Sequence, residues 1–177
     1  MSDLAAPMIG EDCRAEPLTE AHREALRAAC AEDPDIWQIY YVSYAPDQFD
    51  ASFDALLARE GWLPFALYDG EAFVGMSCYL NIDRSRDALE IGSTFYRPSH
   101  RATGFNRRCK AMMLGRAFDS EFRRVEFRVD RRNARSQAAM KRLGAVREGV
   151  LRADRITWNE HVRDTVLFAI LRDEWPV

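Results

Sequence analysis

The run from Leu89 to Phe118 constrains this chain more than any other stretch. Leu89-Glu90-Ile91-Gly92-Ser93-Thr94-Phe95-Tyr96 is apolar and β-branched enough to be a strand. Pro98 stops it, because proline cannot donate to a sheet ladder. From Phe105 the apolar residues Phe105, Cys109, Met112, Met113 and Ala117 fall on one helical face. A strand therefore runs through a small-residue loop straight into a helix. The first N–H groups of such a helix have no intrahelical acceptor and sit at the positive end of its dipole. An anion, typically a phosphate, fits there. Gly104 lets a ligand approach the backbone, and Arg101, Arg107 and Arg108 add charge. An ordinary connection with solvated arginines has the same spacing, so spacing alone does not choose between the two. The loop is neither a Walker loop, since Gly-Lys-Ser/Thr is absent, nor a dinucleotide fingerprint.

The rest of the chain places this unit in a sheet. Residues 1–12 read as a loose leader. Cys13 to Leu18 reads as a first strand, and Thr19 caps a helix running to about Cys30. Asp33-Pro34-Asp35 breaks it, and the aromatic cluster Trp37, Tyr40 and Tyr41 follows. That cluster reads either as core packing or as one wall of an acceptor pocket. A second helix from about Asp47 or Asp50 to Glu60 carries Phe49, Phe53, Leu56 and Leu57 and ends at Gly61. Trp62–Tyr68 and Ala72–Ile82 are strands joined at the hairpin dipeptide Asp69-Gly70. The strand beginning at Ala88 completes an antiparallel meander. Arg124 to Asp130 alternates and is half-buried. Its crossover through the helix from Phe105 makes it a parallel neighbour of the Leu89–Tyr96 strand. Asn133 caps a helix through Leu143 that Gly144 ends. Glu148–Arg155 and His161–Leu171 form a last hairpin. The expected fold is α/β (α+β): a mixed, mostly antiparallel central sheet of about seven strands, parallel at the fourth and fifth, flanked by about four helices.

Bulk properties narrow the function. A chain of 177 residues, 47% hydrophobic and 30% charged, reads as one globular domain spanning 1–177. No basic-then-apolar leader and no apolar run near the ~20 residues of a membrane span are present. Cys13, Cys30, Cys78 and Cys109 form no Cys-x-x-Cys pair, and His22, His100 and His161 are scattered. Neither a metal site nor a disulfide framework is expected, and a cytoplasmic setting is the default. The net charge of −3 hides an asymmetry. Residues 1–96 hold 6 Arg against 18 Asp+Glu, and residues 97–177 hold 19 Lys+Arg against 10 Asp+Glu. This suits a polyanionic ligand on the second half and a cationic amine near the first, or salt-bridging between the halves. A nucleic-acid role lacks a basic domain or a recognisable module; Arg131, Arg132, Arg135 and Arg142 are its only support.

The loop residues Tyr96, Pro98, Arg101 and Gly104 resemble the Arg/Gln-x-x-Gly-x-Gly/Ala signature of the GNAT superfamily of acetyl-CoA-dependent N-acetyltransferases. Asn106 departs from Gly/Ala and resembles the RimJ/RimL-type branch. Asn133-x-x-Ser136 with Gly144-Ala145, the segment Glu148-Gly149-x-Leu151-Arg152, and the ending from Arg163 to Trp175 carry the same likeness. It extends from about residue 13 to the end. The resemblance implies a GNAT-like fold, with the N–H groups of Arg101, Ala102, Thr103, Gly104, Phe105 and Asn106 holding the pyrophosphate of coenzyme A. Phe95 and Tyr96 would hold the pantetheine arm, with Asn133 and Ser136 addressing the same ligand. Many members place a tyrosine where this chain has Met140, which cannot protonate a departing thiolate; Ser136, a water or solvent would serve instead.

Acetyl transfer to an amine needs a group that takes the ammonium proton. Glu90 is the leading base, because alternation would place it on one face with Gly92, Thr94 and Tyr96; Asp154 is the second candidate. Both also read as salt-bridged strand carboxylates. The implied partners are acetyl-CoA as donor and an amine acceptor, either a small molecule or a protein N-terminus. The resemblance also leaves a homodimer open. A coenzyme A-binding protein without turnover is the alternative function.

Overall fold

The computed structural model describes residues 3–175. Its centre is an eight-stranded sheet of β1 (Met8–Gly10), β2 (Cys13–Pro17), β3 (Leu63–Asp69), β4 (Ala72–Asp83), β5 (Ala88–Tyr96), β6 (Arg124–Asp130), β7 (Val146–Ile156) and β8 (Val162–Leu171). The spatial order is β1-β2-β3-β4-β5-β6-β8-β7. Every pairing is antiparallel except β5 with β6. The strand beyond the expected seven is β1. It lies inside the stretch read as a loose leader and pairs with β2 from Met8↔Ala15 to Gly10↔Cys13. Three residues are too few to show a period in the sequence. Residues 1 and 2 of that stretch lie outside the described residues.

Four α-helices cover the sheet: α1 (Arg23–Ala31), α2 (Phe49–Leu57), α3 (Phe105–Asp119) and α4 (Ala134–Leu143). One buried cluster joins α3 and α4 to the sheet through Phe105, Met113, Leu114, Tyr79, Phe127 and Phe168. A second cluster joins α1 and α2 through Leu26, Phe49, Phe53, Trp37, Met76 and Phe95. The chain is thus a sheet between two helical layers, each burying one apolar helix face.

Two irregularities of β5 shape everything near it. Its parallel pairing with β6 covers only Ala88↔Arg124, Leu89↔Val125 and Glu90↔Glu126, after which the two strands part. Against β4, Gly92 pairs with Cys78 but Phe95 with Met76, so β5 holds one extra residue between them. Ser93, at φ 45°, occupies this bulge. An extra residue reverses the alternation of side chains. Glu90 and Gly92 therefore face the α1/α2 side, whereas Thr94 and Tyr96 face α3. The simple alternation that would place these four together does not hold.

The bulge is held from below by Lys110 of α3. Its Nζ donates to Thr94 Oγ1 at 2.6 Å and to Ser77 Oγ at 3.1 Å. Lys110 is buried and has no carboxylate within ion-pair distance among the described residues. Burial pushes its ammonium down to about 8. From above, Tyr40 donates its hydroxyl to the Thr94 carbonyl at 2.7 Å. The neighbouring strand is equally constrained: a Cβ on Gly75, whose φ is +156°, would sit 2.1 Å from the Phe95 carbonyl oxygen.

Gly75→Ala should therefore lower unfolding stability by about 3 kcal/mol or more, since backbone rather than a flexible side chain must move; denaturant titration measures it. Lys110 yields a pH prediction. Below pH 8 both folded and unfolded chains bind its proton; between about 8 and the ordinary lysine value only the unfolded chain does. Its contribution to stability therefore rises with pH in that window, by about 3 kcal/mol in total. The stability difference between wild type and Lys110→Met should widen in favour of wild type from pH 7.5 to pH 10. A difference that stays flat would show that the ammonium is not desolvated.

Candidate active site

The loop between β5 and α3 is the first half of the site. After Tyr96 a short 3-10 turn, Pro98–His100, leads to Arg101, then Ala102 at φ 63° and Gly104 at φ 87° immediately before Phe105. Glycine suits the position because left-handed backbone costs it nothing. Among the described residues the N–H groups of Ala102, Thr103, Gly104 and Asn106 donate to no protein acceptor, while that of Phe105 meets Thr103 Oγ1 at 3.4 Å. Four donors thus converge at the positive end of a 15-residue helix. Arg101 does not point at that end. Its Nε donates to the Tyr96 carbonyl at 3.0 Å and its guanidinium pairs with Asp33, so it fixes the loop's shape. Arg101 Nη2 and Arg108 Nε are buried around the loop without a hydrogen-bond partner among the described residues. Such a donor set matches a polyanion.

Beyond the loop, the parting of β5 from β6 leaves Ile91 to Tyr96 without a partner on the β6 side. Those backbone groups suit the amides of an extended chain. Across the gap stands α4, whose N-cap Asn133 accepts from Ser136 N at 2.9 Å. Capping is the bond Asn133 makes; Ser136 Oγ makes none among the described residues. Met140 is buried in the core against the sheet, so a thioether takes the place of a phenol there.

The second half of the site is a cleft of about 310 Å³ lined by Tyr41, Arg59, Trp62, Glu90, Asp154 and Arg155, among others. It brings together both carboxylates singled out in the sequence. Glu90 is only 5% exposed. Asn81 donates to its Oε2 at 2.7 Å and Arg128 Nε lies 3.4 Å from the same oxygen. Burial nonetheless dominates and pushes the Glu90 carboxyl above the usual carboxylate range. Asp154 goes the other way: burial opposes its charge, but Thr165 and Arg155, whose Nε is 3.2 Å away, hold it below that range. Two carboxyls in one cleft are therefore tuned apart, the raised one being the stronger base.

The aromatic cluster divides. Tyr41 lines the cleft, with its hydroxyl 3.5 Å from Ser93 Oγ. Tyr40 supports the bulge from the side. Trp37 belongs to the core rather than to an acceptor wall: it is fully buried and stacks on Phe95 at 5.0 Å. Phe95 is itself completely buried as a side chain, so only its backbone reaches the gap. The β7–β8 turn closes over this segment, because Trp158 Nε1 donates to the Trp37 carbonyl at 2.8 Å and Asn159 Nδ2 to Gln38 Oε1 at 2.9 Å. Sequence reasoning passed over Lys110, Asn81, Arg59 and Arg128. A lysine between Cys109 and Ala111 on an apolar helix was the one available signal. The charge asymmetry is answered in part internally, by Arg97–Glu32, Arg101–Asp33 and Arg108–Asp69 pairs. Among the described residues no group of three or more His, Cys, Asp or Glu side chains gathers as a metal would need, and no helix is long and apolar enough to cross a membrane.

Comparison with known proteins agrees with this geometry. No curated protein sequence matches the chain. Among solved structures, a GNAT-family protein of Chromobacterium violaceum ATCC 12472 is 28% identical with a TM-score of 0.90, over 99% of this chain and 90% of that one. A GCN5-related N-acetyltransferase of Brucella melitensis is 26% identical with a TM-score of 0.89, over 97% and 81%. Mycobacterium smegmatis RimJ in complex with CoA-disulfide shares the fold at 21% identity and a TM-score of 0.80, over 97% and 88%. The family model of the acetyltransferase (GNAT) domain matches residues 14–146, and the chain belongs to that family.

Proposed function

We propose that the protein is an N-acetyltransferase that moves acetyl from acetyl-CoA to a primary amine by direct attack in a ternary complex. One observation carries this reading: the cleft is lined by Glu90, the last residue of β5 paired with β6, so it lies where the two strands begin to part. The pyrophosphate would rest on the N–H groups of Ala102, Thr103, Gly104 and Asn106. The pantetheine arm would follow the backbone of Phe95 and Tyr96, with Asn133 and Ser136 opposite. Acetyl-CoA supplies an acyl group already activated as a thioester.

The protein's own task is proton transfer and charge stabilisation. Glu90, with its raised pKa, accepts the proton of the attacking amine, directly or through one water. The bulged backbone at Ser93 and Thr94 offers an N–H toward the acetyl oxygen as charge develops there. Buried Lys110 beneath Thr94 adds positive potential to that point. Ser136 is the side chain on α4 that can donate to the leaving sulfur. The closed turn at Trp158 and Asn159 favours a small amine over a protein terminus as acceptor. Asn106 and the C-terminal segment favour a place in the RimJ/RimL-type branch.

Gly104→Asp puts a carboxylate where the pyrophosphate would lie and should weaken acetyl-CoA binding at least tenfold in calorimetry. Glu90→Gln should leave that binding within twofold and lower kcat by about 10²–10⁴. With a base of raised pKa, wild-type kcat/KM climbs with pH through a value above the usual glutamate range, and Glu90→Gln should flatten that limb. Acetyl-CoA binding without turnover on any primary amine would instead make the chain a non-catalytic coenzyme A-binding protein.

A further inference from the structure

The cleft beside Glu90 contains a cation that the acetyl-transfer chemistry does not use. Arg59 lies in the turn between α2 and β3, and its guanidinium carbon sits 4.0 Å above the Trp62 ring. Among the described residues no carboxylate lies within 4.0 Å of it, in contrast to most arginines around the sheet, which are paired. Arg155, whose guanidinium carbon lies 5.0 Å over Tyr41, is the second cation of the lining. Its single acidic neighbour is Asp154. Glu90, the other acid of the cleft, is already faced by Arg128. Asp154 lies on Arg155 and Glu90 on Arg128, so Arg59 is the cation of the lining left with no acidic contact among the described residues.

This unshielded cation discriminates between classes of amine. A diamine or polyamine brings a second ammonium, which would be repelled where it meets the Arg59 guanidinium. A primary amine with a carboxylate a few bonds away matches both ends. Its amine turns to Glu90, and its carboxylate meets the planar fork of Arg59, which lies over the indole and has no competing acid among the described residues. We infer that the acceptor is a small zwitterion, a primary amine bearing a carboxylate, with Arg59 as the residue that reads the acidic group. The inference rests on the reading of this cleft as the acceptor site.

The test uses matched pairs of amines with and without the acid: L-phenylalanine with 2-phenylethylamine, and β-alanine with ethylamine, together with putrescine. Affinity is measured by calorimetry on the full chain with coenzyme A present, and turnover by thiol release from acetyl-CoA. The acid-bearing member should bind at least tenfold more tightly than its partner. In Arg59→Gln that ratio should fall toward one, and in Arg59→Glu putrescine should become the preferred ligand. Arg59 is exposed, so both variants should keep the wild-type unfolding midpoint and acetyl-CoA affinity. Equal binding within the pairs, a wild-type preference for putrescine, no binding of either acid-bearing amine, or a ratio unchanged in Arg59→Gln would each overturn the inference. Acetyl-CoA binding in the same samples separates the two levels. If it persists while the preference is absent, only this inference fails; if it is absent from wild type, the acetyltransferase reading fails.

Discussion

The parting of β5 from β6 is the constraint on which the rest of the structure depends. A parallel pair normally continues until one strand ends, because each residue added satisfies further backbone groups. Here pairing stops after Glu90↔Glu126 although both strands run on. β6 keeps its antiparallel partner β8, and β5 keeps β4, so each strand has its ladder on one side only. What the fold gives up in backbone hydrogen bonds it retains as a slot lined by unpaired backbone. The bulge at Ser93 makes the slot asymmetric by reversing the side-chain faces within it. The helix that follows places its unpaired N–H groups at the slot's mouth. The proposed function would thereby align binding and chemistry along one strand and its continuation.

Charge is distributed to the same end. Lys110 is an ammonium buried without a carboxylate, which costs stability and persists only because Ser77 and Thr94 accept its hydrogen bonds. Glu90 is a carboxyl whose burial outweighs the arginine beside it. Glu90 and Thr94, which accepts from Lys110, lie on opposite faces of β5 and on either side of the bulge. A sheet built for stability alone would have apolar residues at both places. The loop arginine at position 101 shows the opposite economy. It spends its charge on Asp33 and the Tyr96 carbonyl, leaving ligand contacts to backbone that needs no side-chain entropy to organise.

Membership in the GNAT family accounts for the fold, which the structural relatives share over nearly the whole chain, and leaves the acceptor unspecified. The proposed acceptor end is the cleft beside Glu90, which combines a raised carboxyl, a lowered one and an arginine lying over tryptophan with no acidic partner among the described residues. The hairpin turn that follows Ile156 of its lining hydrogen-bonds across to the segment around Trp37.

Much of the fold was legible in the residues alone because local physics wrote it there. Apolar alternation marked β6, Asn133 and Gly144 bounded α4, Asp69-Gly70 marked the β3–β4 turn, and Pro98 with Gly104 marked the loop before α3. Glu90 and Asp154 were recognisable as carboxyls on strands. Their meeting in one cleft was not, because it depends on how far apart β5 and β7 lie once β8 inserts between β6 and β7. Tertiary structure alone also decided that Trp37 is core and that β1 joins the sheet. The same holds for the bulge that moves Thr94 to Lys110's side and for Arg59's lack of an acidic partner among the described residues. A period in the sequence reports which face of an element is apolar. It cannot report a one-residue insertion in a ladder or the absence of a distant carboxylate, which exist only when the strands are assembled.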